Sequence, residues 1–281
     1  MNLHERIGFM QGRLSPMVNG RIQAFPASCW QEEFRTGQQN GFRLMEWTLD
    51  QDRLYLNPLL TTSGQAEIRE LRQAHGIAIS SLTGDCFMQS PFWKAEGPAH
   101  EALLQDFRAV ARACSAVGIG MMVVPLVDNG RLDNREQEDL LVDTLQKESA
   151  FLAALGVKVV FESDFGPGEL ARFIARLDPA RFGVNYDIGN SASLGMDPVA
   201  EISAYGERIL NVHIKDRVLG GTTVPLGTGN ANFDQVFAAL ARAGYQGTYI
   251  LQTARAADGK HAEVLCRYRD MALDWIKRHG A

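Results

Sequence analysis

The sequence predicts a single-domain α/β protein, a (β/α)8 TIM barrel over residues 1–281, and three observations carry that expectation. Short β-rich runs alternate with longer amphipathic stretches, eight of each, which is the rhythm of βα units around a parallel sheet. The length of 281 residues suits one such barrel, which needs about 250. No linker, low-complexity tract or composition break divides the chain.

Taken in order, the strands are expected over residues 6–10, 43–47, 78–82, 121–126, 158–162, 183–187, 210–214 and 248–252, each a run rich in apolar and β-branched residues. The intervening helices are expected over 28–40, 65–75, 99–116, 134–155, 168–177, 198–205, 233–243 and 261–277. Gly41, Gly76, Gly118, Gly156 and Gly244 follow helical patterns and precede strands, where a left-handed cap is easily formed. Asp197 before Pro198 reads as an N-cap with proline in the first turn. The first strand runs into Gln11-Gly12-Arg13-Leu14-Ser15-Pro16, which lacks the G-x-G-x-x-G turn that an open dinucleotide-binding sheet would want.

Composition narrows the partners. Hydrophobic residues at 46% and charged residues at 22% are ordinary for a globular chain. A net charge of -5 with scattered cations leaves no footprint for a phosphate backbone, so nucleic acid is not expected as a partner. Cys29, Cys86, Cys114 and Cys266 stand far apart and read as reduced thiols. The first residues lack the apolar core of a signal peptide, and no apolar run approaches the ~20 residues that span a bilayer. The expectation is a cytoplasmic protein with no membrane partner.

In barrels of this kind chemistry sits where strands give way to βα loops. Four consecutive strands finish on Glu162, Asp187, His213 and Gln252. Each alone would serve as a loop hydrogen-bonder or a half-buried polar residue. Together, on strands about 4.8 Å apart, they can converge on one ion. Three oxygens and one imidazole suit a single divalent metal, Mn2+ first, with Mg2+, Co2+ or Zn2+ as alternatives, and leave positions for the hydroxyls of a polyol.

Cations gather at other strand ends: Arg13 after the first, Lys215 and Arg217 after the seventh, Arg255 after the eighth. Surface solvation explains any one of them, but jointly they point to substrate binding and favour a sugar phosphate over a free sugar. The turn Gly227-Thr228-Gly229 offers backbone NH groups to such a phosphate, or is a plain tight turn. Glu46, ending the second strand, is either a substrate-binding or acid/base carboxylate or the partner of a salt bridge. Trp47, Phe92 and Trp93 fit core packing better than a sugar face.

At these residues the chain resembles the xylose-isomerase-like TIM-barrel superfamily, the sugar phosphate isomerases and epimerases. The resemblance is carried by Gly8-Phe9-Met10-Gln11-Gly12-Arg13-Leu14-Ser15-Pro16, Glu162, Asp187-Ile188-Gly189-Asn190, His213-Ile214-Lys215-Asp216-Arg217 and Pro225-Leu226-Gly227-Thr228-Gly229. It implies metal ligands at Glu162, Asp187, His213 and position 252, with the residues at 162 and 252 as the catalytic pair. Here the chain departs: Gln252 stands where the family has a second glutamate, and an amide cannot carry a proton back and forth at neutral pH. Asn190 stands where the epimerases tend to have a histidine.

The resemblance therefore implies a metal-dependent isomerase or epimerase acting on a small sugar or sugar phosphate through an enediolate, with Glu162 as base. Lys215, Glu46 or Asp85 would be the second proton donor. The alternatives are a dehydratase of the inosose type and a non-catalytic sugar-binding barrel, the latter because of Gln252. A homo-oligomer is left open. The apurinic endonuclease that shares the fold needs several histidines at strand mouths, and of six histidines only His213 ends a strand.

Overall fold

The computed structural model describes residues 3–280. Eight parallel strands, Ile7–Met10, Leu44–Thr48, Ala78–Thr83, Met121–Leu126, Lys158–Ser163, Phe182–Asp187, Ile209–Ile214 and Thr248–Leu251, close into a barrel in chain order. The ring shuts where the first strand pairs with the last, Ile7 opposite Tyr249 and Phe9 opposite Leu251. Arg6 braces this seam. Its guanidinium donates to the carbonyls of Gly247 (3.0 Å) and Tyr245 (3.1 Å) and lies over the Tyr249 ring.

The eight expected helices are present as Glu32–Gln39, Thr62–His75, Gly97–Val117, Arg135–Leu155, Pro167–Ala175, Pro198–Tyr205, Phe233–Arg242 and His261–His279. The first begins later than the pattern suggested because the chain before it is tied in tight turns, Cys29 N to Pro26 O and Glu32 N to Cys29 O. Two short helices at strand exits, Asp85–Gln89 and Ile188–Ser193, carry too few residues to show a helical period and were not expected. Gly76 and Gly118 end their helices at φ of 59° and 77°, and the Asp197 carboxylate caps its helix by accepting from Val199 N. Among the described residues no helix is long and apolar enough to cross a membrane.

Most of the apolar core lies between strands and helices. Phe9 packs edge-on against Phe42, and a Cβ at Gly37 would come within 3.0 Å of the Phe9 ring, so glycine lets helix Glu32–Gln39 lie close to the barrel. Trp47 meets Trp30 edge to face on the same side. A separate apolar cluster contains only Met10, Leu44 and Ile250. In place of the layers of branched aliphatics usual inside such barrels, Glu46, Ser81, Asn185, Asn211 and His213 are buried as a hydrogen-bonded group. Buried polar atoms are tolerated when each finds a partner, and this network is what sets the geometry of the site.

Candidate metal centre at the barrel mouth

Strand register decides which side chains meet. Asp187 is directly opposite His213, so both reach the same height. Their neighbour Glu162 ends the core of the fifth strand, opposite Pro125. One donor atom from each of Glu162, Asp187 and His213 lies within 4.8 Å of the others. Gln252 stands higher: Ile250 is opposite His213, and Gln252 N bonds to Ile214 O beyond it.

The imidazole of His213 is fully buried and held from both sides. Nε2 is 2.8 Å from Glu46 Oε1, and Nδ1 is 3.1 Å from Glu162 Oε2. Glu46 is in turn fixed by Ser81 Oγ (2.6 Å), Asn211 Nδ2 (3.0 Å) and a short bond from Thr83 Oγ1. Burial opposes a charged carboxylate at Glu46, but His213 and these hydroxyls outweigh it and hold the group below its usual range. Burial likewise opposes the imidazolium, yet Glu46 and Glu162 push His213 up to about 10. With Nε2 committed to Glu46, the Nδ1 lone pair of the neutral ring faces the carboxylates of Glu162 and Asp187. This carboxylate-oriented histidine is the arrangement that fits a metal ligand. Two carboxylate oxygens and one imidazole nitrogen are donors that Mn2+, Co2+ and Zn2+ take readily and Mg2+ takes less well, because its preference is for oxygen alone.

Asn190 connects the parts. Its backbone NH donates to Asp187 Oδ1 (2.8 Å), which caps the short helix Ile188–Ser193, and its Nδ2 donates to Glu162 Oε1 (2.6 Å). Its Oδ1 accepts from Lys215 Nζ (3.1 Å) and Arg217 Nη1 (2.8 Å). Lys215 donates further to Asp187 Oδ2 (2.9 Å) and Gln252 Oε1 (3.0 Å), linking the amide to the carboxylate cluster. Gly189 is needed beside it, since a Cβ there would lie 2.6 Å from Lys215 Cγ.

A cavity of about 820 Å3 opens at this mouth, and Glu162, Lys215, Arg217 and Gln252 line it together with Gln23 and Asp85. Three of the expected substrate-binding residues are engaged elsewhere. Glu46 is wholly buried and its oxygens are taken by four donors. Arg13 is buried and ties loops, donating to Thr253 O (3.0 Å) and Ile22 O (2.8 Å). Arg255 makes short bonds to the carbonyls of Gly12 and Ser15. A cation after a strand reads the same in sequence whether it faces a cavity or a carbonyl. The amides of the Gly227–Gly229 turn are also occupied, by the protein's own anion: Gly227 N and Gly229 N donate to Asp216 Oδ2 (2.9 and 2.8 Å), and Ala231 N to Asp216 Oδ1 (3.1 Å). Trp47, Phe92 and Trp93 are core residues.

Sequence reasoning passed over Gln23, Asn185 and Asn211. Asn185 donates to Glu162 Oε2 (3.0 Å) and accepts from Asn211 (2.9 Å). Asparagine twice inside strands, against its poor strand propensity, was the available signal.

The model of one family, xylose isomerase-like TIM barrel, matches residues 34–272. The chain belongs to that family. An inosose dehydratase from Geobacillus thermodenitrificans (strain NG80-2) is 28% identical over 215 residues, 66% of this chain and 72% of the relative. An L-ribulose-5-phosphate 3-epimerase from Shigella flexneri serotype 5b is 23% identical over 273 residues, 92% of this chain and 93% of the relative. Among solved structures, the IOLI protein with a bound zinc atom superposes at a TM-score of 0.77 with 17% identity, covering 98% of this chain and 99% of that one. The family likeness reaches the fold along its length, and the individual substrates of these proteins differ.

Proposed function

We propose that this barrel is a metal-assisted isomerase or epimerase of a small polyhydroxylated aldehyde or ketone, working by proton transfer at the carbon beside the carbonyl through an enediolate. The observation that carries the reading is the grouping of donor atoms from Glu162, Asp187 and His213 within 4.8 Å, with His213 oriented by Glu46. Those three residues would hold the ion, and Gln252 Oε1 is a further oxygen on the same side. A divalent ion held there supplies Lewis acidity toward a carbonyl and its neighbouring hydroxyl.

The chain's own groups do the rest. Glu162 borders the cavity and is aimed by Asn190 and Asn185, so it takes the C–H proton. Lys215 and Arg217 line the cavity as cations whose N–H groups already donate to Asp187, Asn190, Gln252 and Gly221, so they add positive charge beside the substrate oxygens. The ionisable lining is Arg21, Lys215 and Arg217 against Asp85, Asp128, Glu162 and Asp164, so the cavity carries no surplus of positive charge. With Arg13, Arg255 and the Gly227–Gly229 amides already satisfied inside the protein, an unphosphorylated keto-polyol suits this mouth better than a sugar phosphate.

A second reading, a dehydratase, is favoured by one comparison: several of the most similar relatives are named inosose dehydratases. The two share the first proton abstraction. In D2O with Mn2+, the protein should wash deuterium into an inosose or D-tagatose at the carbon beside the carbonyl; inversion or isomerisation supports the first reading and loss of water the second. Absence of exchange in these and in L-ribulose 5-phosphate would sink both.

A further inference from the structure

One base suffices for a 1,2-isomerisation, but inversion or loss of water at this mouth needs a second proton-transfer group. Gln252 cannot cycle a proton, so a donor must come from elsewhere, and three side chains are near enough to consider. Glu46 is sealed off, its two oxygens taken by Ser81, Thr83, Asn211 and His213. Lys215 has three N–H donors and three protein acceptors, Asp187, Asn190 and Gln252, so each of its N–H groups is already engaged.

Asp85 differs from both. It begins the short helix after the third strand, borders the same cavity as Glu162, and is mostly buried. Among the described residues its one side-chain hydrogen-bond partner is Gln23, whose Nε2 donates to Asp85 Oδ2 at 2.7 Å. Gln23 Oε1 in turn accepts from Gln252 Nε2 at 2.9 Å. Asp85 is thereby attached to the side chain at position 252 through a single intervening amide.

We propose that Asp85 is the second acid/base residue of this site, supplying from the helix after the third strand the proton that an amide at position 252 cannot. The proposal rests on the proton-transfer reading above. In the forward step Glu162 takes the C–H proton and that bond's electron pair enters the new C=C bond. The Asp85 carboxylic acid then gives its proton to the other face of the same carbon, the pair re-forms a C–H bond, and the carbonyl returns. Asp85 is left as carboxylate and Glu162 as acid, and both exchange with solvent. Where the acceptor is instead a departing hydroxyl, the Asp85 proton leaves with that oxygen as water.

Protonation near neutral pH is consistent with this role. Burial pushes the Asp85 carboxyl up to about 7 against the Gln23 hydrogen bond, with Asp50 and Glu162 adding to the rise and Lys215 opposing it.

The test compares wild type, Glu162→Gln, Asp85→Asn and Asp85→Ser with Mn2+ in D2O, on an inosose, D-tagatose and L-ribulose 5-phosphate. Two rates are read: deuterium wash-in beside the carbonyl, and net conversion. Manganese affinity is read separately by electron paramagnetic resonance. Glu162→Gln should lose both rates. Both Asp85 variants should keep wash-in within about threefold and manganese affinity within about twofold, while net conversion falls by about 100-fold or more. Conversion at the wild-type rate in either Asp85 variant overturns the assignment and leaves the proposed function standing. Loss of wash-in together with manganese affinity also overturns it, since Asp85 would then act by orienting Gln252 through Gln23. No exchange by wild type overturns the proposed function and this inference with it.

Discussion

Glu46 and His213 meet across the barrel interior, Oε1 to Nε2 at 2.8 Å, from the second and seventh strands and 167 residues apart in sequence. The contact fixes which ring nitrogen is left for an ion. Glu46→Gln keeps the shape but turns a strong acceptor into a weak one, and manganese affinity should fall about 10- to 100-fold with the fold intact by circular dichroism. Unchanged affinity would mean that Glu46 plays only a packing role.

His213 also predicts proton release. Its folded pKa, about 10, lies above the ordinary value of 6.5, so in metal-free protein at neutral pH the ring is an imidazolium between two carboxylates. That stabilisation is fully present below pH 6.5 and is lost as pH rises through about 10. An ion needs the neutral ring, so titrating Mn2+ calorimetrically in buffers of different ionisation enthalpy at pH 7 should show about one proton released per ion. Affinity should rise with pH; a flat profile would count against His213 as a ligand.

Position 252 can be tested directly. Gln252→Glu adds a negative oxygen beside Lys215, and manganese affinity should increase about tenfold, because ligand charge tunes the binding of hard cations. No change would place the side chain outside the coordination sphere.

Asp216 answers three backbone amides with one carboxylate. Asp216→Ala should destabilise the protein by about 2–4 kcal/mol in urea unfolding, since those donors lose a charged acceptor inside a partly buried turn. A loss below about 0.5 kcal/mol would show that water replaces the carboxylate freely.

Away from the mouth, Glu138 is buried under Arg172, Arg176 and Arg135. Hydrogen bonds from Arg172 lead the causes that hold its carboxyl down at about 2 from an ordinary 4.5. A depressed carboxyl stabilises above the ordinary pKa and loses that contribution as pH falls through the folded one. Glu138→Gln should therefore cost about 1–2 kcal/mol at pH 7, after allowance for the solvent-exposed guanidiniums, and the gap to wild type should close between pH 4.5 and 2.

The strands and the carboxylate–imidazole cluster were legible because each rests on local signals. Apolar runs mark strands, and Asp187 and His213 end neighbouring runs at equal height. Gln252 ends its run too, but the pairing of Ile250 with His213 lifts it a step, and pairing between strands is not written in either strand alone. Arg13 and Arg255 follow strands as a substrate-binding cation would, yet they bond to carbonyls of their own chain, because a guanidinium's target depends on loop paths. Gln23 lies in an irregular loop with no period to mark it, though it joins Asp85 to Gln252.

The seam between Ile7–Met10 and Thr248–Leu251 gives the chain a built-in checkpoint. Glu46 comes from the opening quarter of the polypeptide and its imidazole partner from the last, so the second half of the molecule carries Glu162, Asp187 and His213 but not the carboxylate that orients the ring. The bond between Glu46 and His213 therefore stands as the mark that the two ends of the chain have met and the whole cylinder has shut.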